Sequence, residues 1–149
     1  MLDFRDILKY KNLKATHQRL AILETMDSLK HVDIENLYEL LLSKYPTLSK
    51  ATIYRNVKEL IAIGLVTEIK IPDMPTNYEI TKMPHIHLVC KICNKIIDKI
   101  VDTKGIIDEA TKGCNFKVET SSISLLGICP ECSKTLKATS TAKDTIGNL

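Results

Sequence analysis

His85-Ile86-His87-Leu88-Val89-Cys90-Lys91-Ile92-Cys93 and, further on, Cys129-Pro130-Glu131-Cys132 are the stretches whose reading decides the fold. Each holds a Cys-x-x-Cys unit, and residues 94–128 separate the two. A two-residue gap lets both sulfurs of one unit reach a single ion. Two such units complete a tetrahedral set of four thiolates, which selects Zn²⁺ or an iron–sulfur centre. Asn94 and Lys95 after the first pair, and Pro130 inside the second, suit tight turns. Four sulfurs close the coordination shell, so Cys90, Cys93, Cys129 and Cys132 read as a structural zinc site with one ion per chain. The competing reading is a pair of dithiol redox motifs. It is set aside because neither pair is expected to open a helix after a strand in a βαβ unit. Cys114, the odd cysteine, reads as a small buried or half-buried thiol.

Just upstream lies a second cluster of donors. On a strand, residues two apart face the same way, so His85 and His87 point to one side. Cys90, an odd number of residues beyond His87, points to the other. The histidine pair and the cysteines therefore serve different ions. Asp98 on the next expected strand, Glu79 just upstream and His31 far upstream are donors that could join the pair. Three imidazoles and two carboxylates suit iron, manganese, zinc or cobalt as divalent ions.

Outward from these motifs the chain divides in two. Residues 1–81 read as a winged helix-turn-helix. Thr16, Asp33 and Ser49 are candidate N-caps of three helices. Their apolar stripes are Leu20, Ile22, Leu23 and Met26; Ile34, Leu37, Tyr38, Leu40 and Leu41; and Ile53, Val57, Leu60, Ile61 and Ile63. A short loop, residues 29–32, leads into the second of them. Gly64 stops the third helix. The alternating run 65–71, a turn at 72–75 and a run at 77–80 read as a two-stranded wing. Residues 82–84 form a hinge, and residues 85–135 an α/β unit that carries the metal sites. Its expected elements are strands at 85–90, 96–101, 116–119 and 122–128 and a helix at 106–111. Residues 136–149 are rich in Thr, Ser, Lys and Ala and read as a flexible tail.

Ser49-Lys50-Ala51-Thr52-Ile53-Tyr54-Arg55-Asn56 opens the last of the three helices. In a helix-turn-helix the start of the second helix meets base edges in the major groove of DNA. Thr52, Tyr54, Arg55 and Asn56 supply donors, an aromatic ring and a guanidinium there. Lys50 suits phosphate, and Lys14 and Arg19 could reach a neighbouring backbone. The formal net charge is only +3. Residues 1–83 hold 12 Lys+Arg against 11 Asp+Glu, a net of +1. Any DNA-binding claim thus rests on where the cations sit. No apolar run approaches the length of a membrane span, and the start lacks the apolar core of a secretory signal. The expected compartment is the cytoplasm, where cysteines stay reduced.

Five stretches together carry a family likeness: Lys14-Ala-Thr16-His-Gln18-Arg19, Ala51-Thr-Ile-Tyr54-Arg55-Asn, Gly64-Leu-Val, His85-Ile-His87-Leu-Val-Cys90-x-x-Cys93 and Gly127-Ile-Cys129-x-x-Cys132. The chain resembles the ferric uptake regulator (Fur) superfamily over about residues 10–135. The resemblance implies a homodimer, formed through the C-terminal α/β unit, that represses by binding palindromic operator DNA when a regulatory metal is held. It places His31, Glu79, His85, His87 and Asp98 in that regulatory site, with Fe²⁺ or Mn²⁺ as the ion, and makes Tyr54 and Arg55 DNA contacts. Asp98 with His31, His85 and His87 looks like the peroxide-sensing branch, in which bound Fe²⁺ reacts with peroxide and a ligand histidine is oxidised. Glu79 looks more like the iron-sensing branch, whose additional site is not available here because Ile86 and Ser121 stand at its positions. Iron, manganese and zinc sensing stay open alongside peroxide sensing. A reading from another class, a metal-dependent hydrolase on a winged-helix scaffold, finds no spare general base to support it.

Overall fold

Asp3, Thr16, Asp33, Ser49 and Asp102 each accept a hydrogen bond from a backbone N–H two or three residues on, and each starts a helix. Each cap satisfies one of the donors that a helix start leaves without an internal partner. The computed structural model describes residues 3–144, with side chains through residue 139. Along the chain run α1 (Phe4–Tyr10), α2 (His17–Leu29), β1 (Val32–Asp33), α3 (Ile34–Leu42), α4 (Lys50–Ala62), β2 (Val66–Ile69) and β3 (Asn77–Ile80). There follow β4 (Ile86–Cys90), β5 (Ile96–Lys99), α5 (Thr103–Ala110), β6 (Ser124–Gly127) and α6 (Pro130–Asp144). The chain divides into two compact units between Lys82 and Met83, inside the segment expected as a hinge. Among the described residues no helix is long and apolar enough to cross a membrane.

The first unit is a winged helix. Leu8 of α1, Ile22, Leu23 and Met26 of α2, Leu37 of α3 and Ile53, Val57 and Leu60 of α4 are fully buried against one another. The stripes expected from the sequence supply this core, apart from Leu40, which is exposed. Leu37 and Leu41 lie four apart on the inward line of α3, and Leu40 falls off it. After α4, Gly64 takes φ +72°, a left-handed conformation that glycine adopts without Cβ strain. The wing is β2 paired antiparallel with β3. A strand that was expected as loop, β1, pairs with the other edge of β3, giving the order β1-β3-β2.

The second unit is a three-stranded sheet, β5-β4-β6. β4 runs antiparallel to β5 and parallel to β6, and α5 lies in the crossover between β5 and β6. Two expectations need correction. Residues 116–119 form no strand: none of the described strands pairs with them, and Phe116 is exposed. An extended segment without a ladder has nowhere to place its backbone hydrogen bonds except water. Of the segment read as a flexible tail, residues 136–144 continue α6 as helix, while residues 145–149 lie outside the described residues. Pro130 at the first helical position pre-sets φ for α6, and the Ser133 N–H bonds to the Cys129 carbonyl. The helix is thus started by the second cysteine pair.

Leu23→Ala removes a fully buried side chain from the first unit and costs about 2–5 kcal/mol. Thermal unfolding followed by circular dichroism is expected to show a lower Tm. Metal content at the four cysteines is expected to stay the same, and its loss in this variant would contradict the division into two units.

Candidate metal centres and nucleic-acid interface

The four cysteine sulfurs come together, all within 4.8 Å of one another. Cys90 ends β4. A turn follows in which the Asn94 N–H bonds to the Cys90 carbonyl and Asn94 takes φ +60°, bringing Cys93 back under the strand. Cys129 follows β6, the parallel neighbour of β4, with Gly127 in register with Cys90. The second pair opens a helix after a strand, but no strand follows that helix among the described residues, so the pair does not lie in a βαβ unit. What separates it from a dithiol redox unit is the first pair, whose sulfurs it faces. The Cys93 and Cys129 sulfurs lie 3.8 Å apart. Thiolates about 2.3 Å from a common zinc sit at tetrahedral corners about 3.8 Å apart, so the cluster fits Zn²⁺.

The backbone around these sulfurs favours charge unevenly. The Cys129 N–H donates to the Cys90 sulfur at 3.3 Å. That bond, helped by the backbone of Cys93, lowers the Cys90 thiol to about 6. The Cys132 N–H donates to the Cys129 sulfur at 3.5 Å and favours its thiolate. Glu131 and burial outweigh this, and the Cys129 thiol is pushed up. Contact with Cys129, then burial, pushes Cys132 up to about 12. Four thiolates cannot gather without a cation, and a divalent ion would supply that charge.

The second group of donors is built separately in the two units. In the first, Val32 of β1 pairs with Tyr78 of β3. Antiparallel register then sets His31, one residue earlier, beside Glu79, one residue later. The His31 Nε2 lies 3.4 Å from the Glu79 Oε2. Glu79 is buried, and the Lys82 ammonium is 2.8 Å from the same oxygen. In the second unit, His87 and Asp98 are direct register partners across β4 and β5. Their Nε2 and Oδ1 atoms are 3.7 Å apart. His85, two residues before His87 on the same face, places its Nε2 3.1 Å from that of His87 and 3.6 Å from Asp98 Oδ1. Two donors about 2.1 Å from one ion are about 3.0–3.4 Å apart, so the two imidazoles sit at the spacing of donors that share an ion, and Asp98 lies just beyond it. The His85 Nδ1 is 2.8 Å from the Met83 carbonyl, which can only accept. His85 Nδ1 therefore donates to it, which orients the ring with Nε2 toward His87 and Asp98.

On α4, Tyr54, Arg55 and Lys50 are exposed. Thr52 and Asn56 are half-buried and engaged locally: the Thr52 hydroxyl lies 2.9 Å from that of Ser49, and the Asn56 amide donates to the Thr52 carbonyl at 2.9 Å. Lys14 is exposed. Arg19 is largely buried and clamps helices: its guanidinium pairs with Glu59 of α4 and donates to the Lys14 carbonyl at 2.8 Å. Cys114 is exposed, against the expectation of burial. The four expected cysteines are the ones that lie together. The expected site residues did not include Lys58, Glu35 or Glu68, which also line the α4 face and lie outside the recognisable helix start.

A winged helix followed by an α/β unit with a four-thiolate centre and an imidazole–carboxylate cluster defines a class: DNA-binding regulators governed by metal. The model of the ferric uptake regulator family matches residues 10–126, and the chain belongs to that family. Its members are metal-dependent repressors, and DNA binding as a homodimer is typical of them. The peroxide operon regulator of Bacillus subtilis (strain 168) is 32% identical over 131 residues, covering 87% of this chain and 90% of that protein. The Campylobacter jejuni peroxide stress regulator has a similar structure, with a TM-score of 0.65 and 32% identity over 88% of this chain and 100% of that one. The Vibrio cholerae ferric uptake regulator matches with a TM-score of 0.71 and 29% identity, over 85% of this chain and 100% of that one.

Zinc uptake by the metal-free protein at pH 7 is expected to release protons, from Cys129 and Cys132 at least, since Cys90 is already a thiolate there. Protons compete with the ion at the raised thiols, so affinity falls as pH falls. Calorimetric titration in buffers of different ionisation enthalpy measures the release; none at pH 7 would count against the four-thiolate site.

Proposed function

We propose that this chain is a peroxide-responsive repressor that binds operator DNA as a homodimer. Zn²⁺ held by Cys90, Cys93, Cys129 and Cys132 maintains its second unit. His31, Glu79, His85, His87 and Asp98 together take one regulatory ion, Fe²⁺ or Mn²⁺. The observation behind this reading is the convergence of His85, His87 and Asp98 on the face of β4 opposite Cys90. It supports a second ion of harder character than the first. His31 and Glu79 form a matching two-donor group in the other unit. Neither group alone completes a coordination shell, so an ion that takes both ties the reading unit to the dimer unit. In a dimer, that tie sets the separation of two α4 helices, which must meet major grooves about 34 Å apart. Metal then shifts the population toward the DNA-competent arrangement.

The likeness to peroxide regulators favours peroxide as the signal. Bound Fe²⁺ supplies the redox chemistry. Overall the peroxide O–O bond breaks, one oxygen is inserted at an imidazole C–H with that hydrogen kept on the new oxygen or a ring nitrogen, and the other oxygen leaves as water with both peroxide hydrogens. His31 and His85 are the imidazoles to test. Oxidation of either weakens a ligand and loosens the tie between units. At the DNA, Tyr54 and Arg55 meet bases, with Thr52 and Asn56 shaping that helix start. Lys14 and Lys50 meet phosphate, and Arg19 holds α2 and α4 in register. The partner copy docks on the second unit. There Ile97, Leu88 and Leu125 make an exposed apolar row across three strands in register.

Two outcomes follow. In Fe²⁺-loaded protein treated with peroxide, peptide mass spectrometry is expected to find one added oxygen on His31 or His85, with DNA binding lost in a gel shift. Unmodified histidines with DNA released, or modified histidines with DNA still bound, would sink the peroxide mechanism. Leu125→Asp is expected to shift the protein from dimer to monomer in sedimentation; an unchanged dimer would move the interface elsewhere.

A further inference from the structure

The first unit presents cations on its recognition helix although its net charge is almost zero, and the structure shows how these charges are arranged. Lys50, the first residue of α4, does not extend into solvent alone. Its ammonium lies 2.6 and 2.7 Å from the two carboxylate oxygens of Glu35, in the first turn of α3, and over the Tyr38 ring at 5.3 Å. The hydrogen bond to Glu35 raises the Lys50 pKa. Two turns along α4, Lys58 repeats the arrangement. Its ammonium lies 3.4 Å from Glu68 Oε1 on β2 and 5.2 Å from the centroid of the Tyr54 ring. The second Glu68 oxygen is 3.1 Å from Lys70 at the end of the wing strand. Glu68 stays ionised: partial burial disfavours its charge, but Lys70 and Lys58 more than offset this and lower its pKa.

We propose that Glu35 and Glu68 are intramolecular stand-ins for DNA phosphate, which occupy Lys50 and Lys58 in the free protein and so suppress binding to DNA of the wrong sequence. The proposal rests on the reading of α4 as the DNA-facing helix. A carboxylate and a phosphate oxygen compete for the same ammonium. On docking, phosphate replaces the carboxylate, which then takes up a cation from solution. That uptake offsets part of the counterion release that drives non-specific binding. Exposed pairs of this kind add little to folding stability, so their effect lies in what they exclude. Base contacts by Tyr54 and Arg55 are made only on the right sequence, and they supply the free energy to open the pairs there. On other sequences nothing does, and discrimination rises. Lys58 over the Tyr54 ring links the second pair directly to a recognition side chain. Releasing Lys58 to a phosphate frees that ring to turn toward a base.

The test uses full-length, Mn²⁺-loaded protein and fluorescence anisotropy over a range of salt. One duplex is of random sequence and the other is enriched for tight binding by in vitro selection. Glu35→Gln and Glu68→Gln are each expected to tighten binding to the random duplex and to steepen its dependence of log K on log salt by about 1. That steepening equals about a fourfold larger loss between 50 and 200 mM. Binding to the selected duplex changes less, so the specificity ratio falls. In a Lys50→Gln background, Glu35→Gln is expected to do almost nothing, because its effect passes through Lys50. Unchanged random-duplex binding in both carboxamide variants would overturn the proposal. An equal gain with and without Lys50 would also overturn it, since Glu35 would then act only through the overall field. The underlying reading fails separately: in that case Arg55→Ala and Tyr54→Ala leave both duplexes bound as before.

Discussion

Strand β4 has two faces, and the rest of the second unit is arranged around that fact. Successive side chains of a strand alternate, so one segment of chain, 85–90, presents imidazoles to one side and a thiolate to the other. The soft donor is thereby separated from the harder donors by geometry, before any question of affinity arises. β4 also occupies the centre of its sheet. Its antiparallel neighbour β5 delivers Asp98 opposite His87, and its parallel neighbour β6 delivers Cys129 beyond Gly127, opposite Cys90. A slip of one residue in the β4–β5 ladder would part Asp98 from His87, and one in the β4–β6 ladder would part Cys129 from Cys90. Register is therefore what the two metal centres share. Each cluster depends on a different ladder of the same central strand.

In the first unit the equivalent constraint is a ladder two residues long. β1 pairs only Val32 and Asp33 with β3, yet this brings His31 to Glu79. Asp33, at its end, also caps α3. The same short segment thus sets a candidate ligand and the start of the helix that carries Glu35. The recognition helix α4 is held from behind by its buried stripe and by the clamp of Arg19 on Glu59. On its exposed side lie the pairs of Lys50 with Glu35 and Lys58 with Glu68. A near-neutral unit can work as a DNA reader if its cations are placed with internal partners that phosphate can displace. Net charge then says little, and charge placement says much.

Much of this was legible in the chain. Short polar caps at Thr16, Asp33 and Ser49, the apolar spacing of three helices and the alternation of the wing are local signals. They act within a few residues, and tertiary packing did not override them. The spacing of Cys90, Cys93, Cys129 and Cys132 is equally direct, because two-residue gaps have few uses other than bringing two sulfurs to one ion. The relation of His85, His87 and Cys90 followed from strand periodicity alone. The likeness to the ferric uptake regulators drew on these same residues.

What the chain alone did not determine depends on contacts between distant segments. A strand of two residues has no periodicity to detect, so the meeting of His31 with Glu79 came from pairing across residues 32–78. The low-complexity stretch after Thr135 has no apolar pattern. It is helical as far as residue 144 because the second cysteine pair and Pro130 start the helix, and nucleation is the costly step in helix formation. Residues 116–119 had strand-like composition and formed none, since a strand exists only through its neighbour. Local sequence thus determined which cysteines and histidines are grouped as donors and where the helices of the winged unit begin. Tertiary structure decided which carboxylate meets which cation, because side chains far apart in the chain become neighbours only when the backbone brings them together.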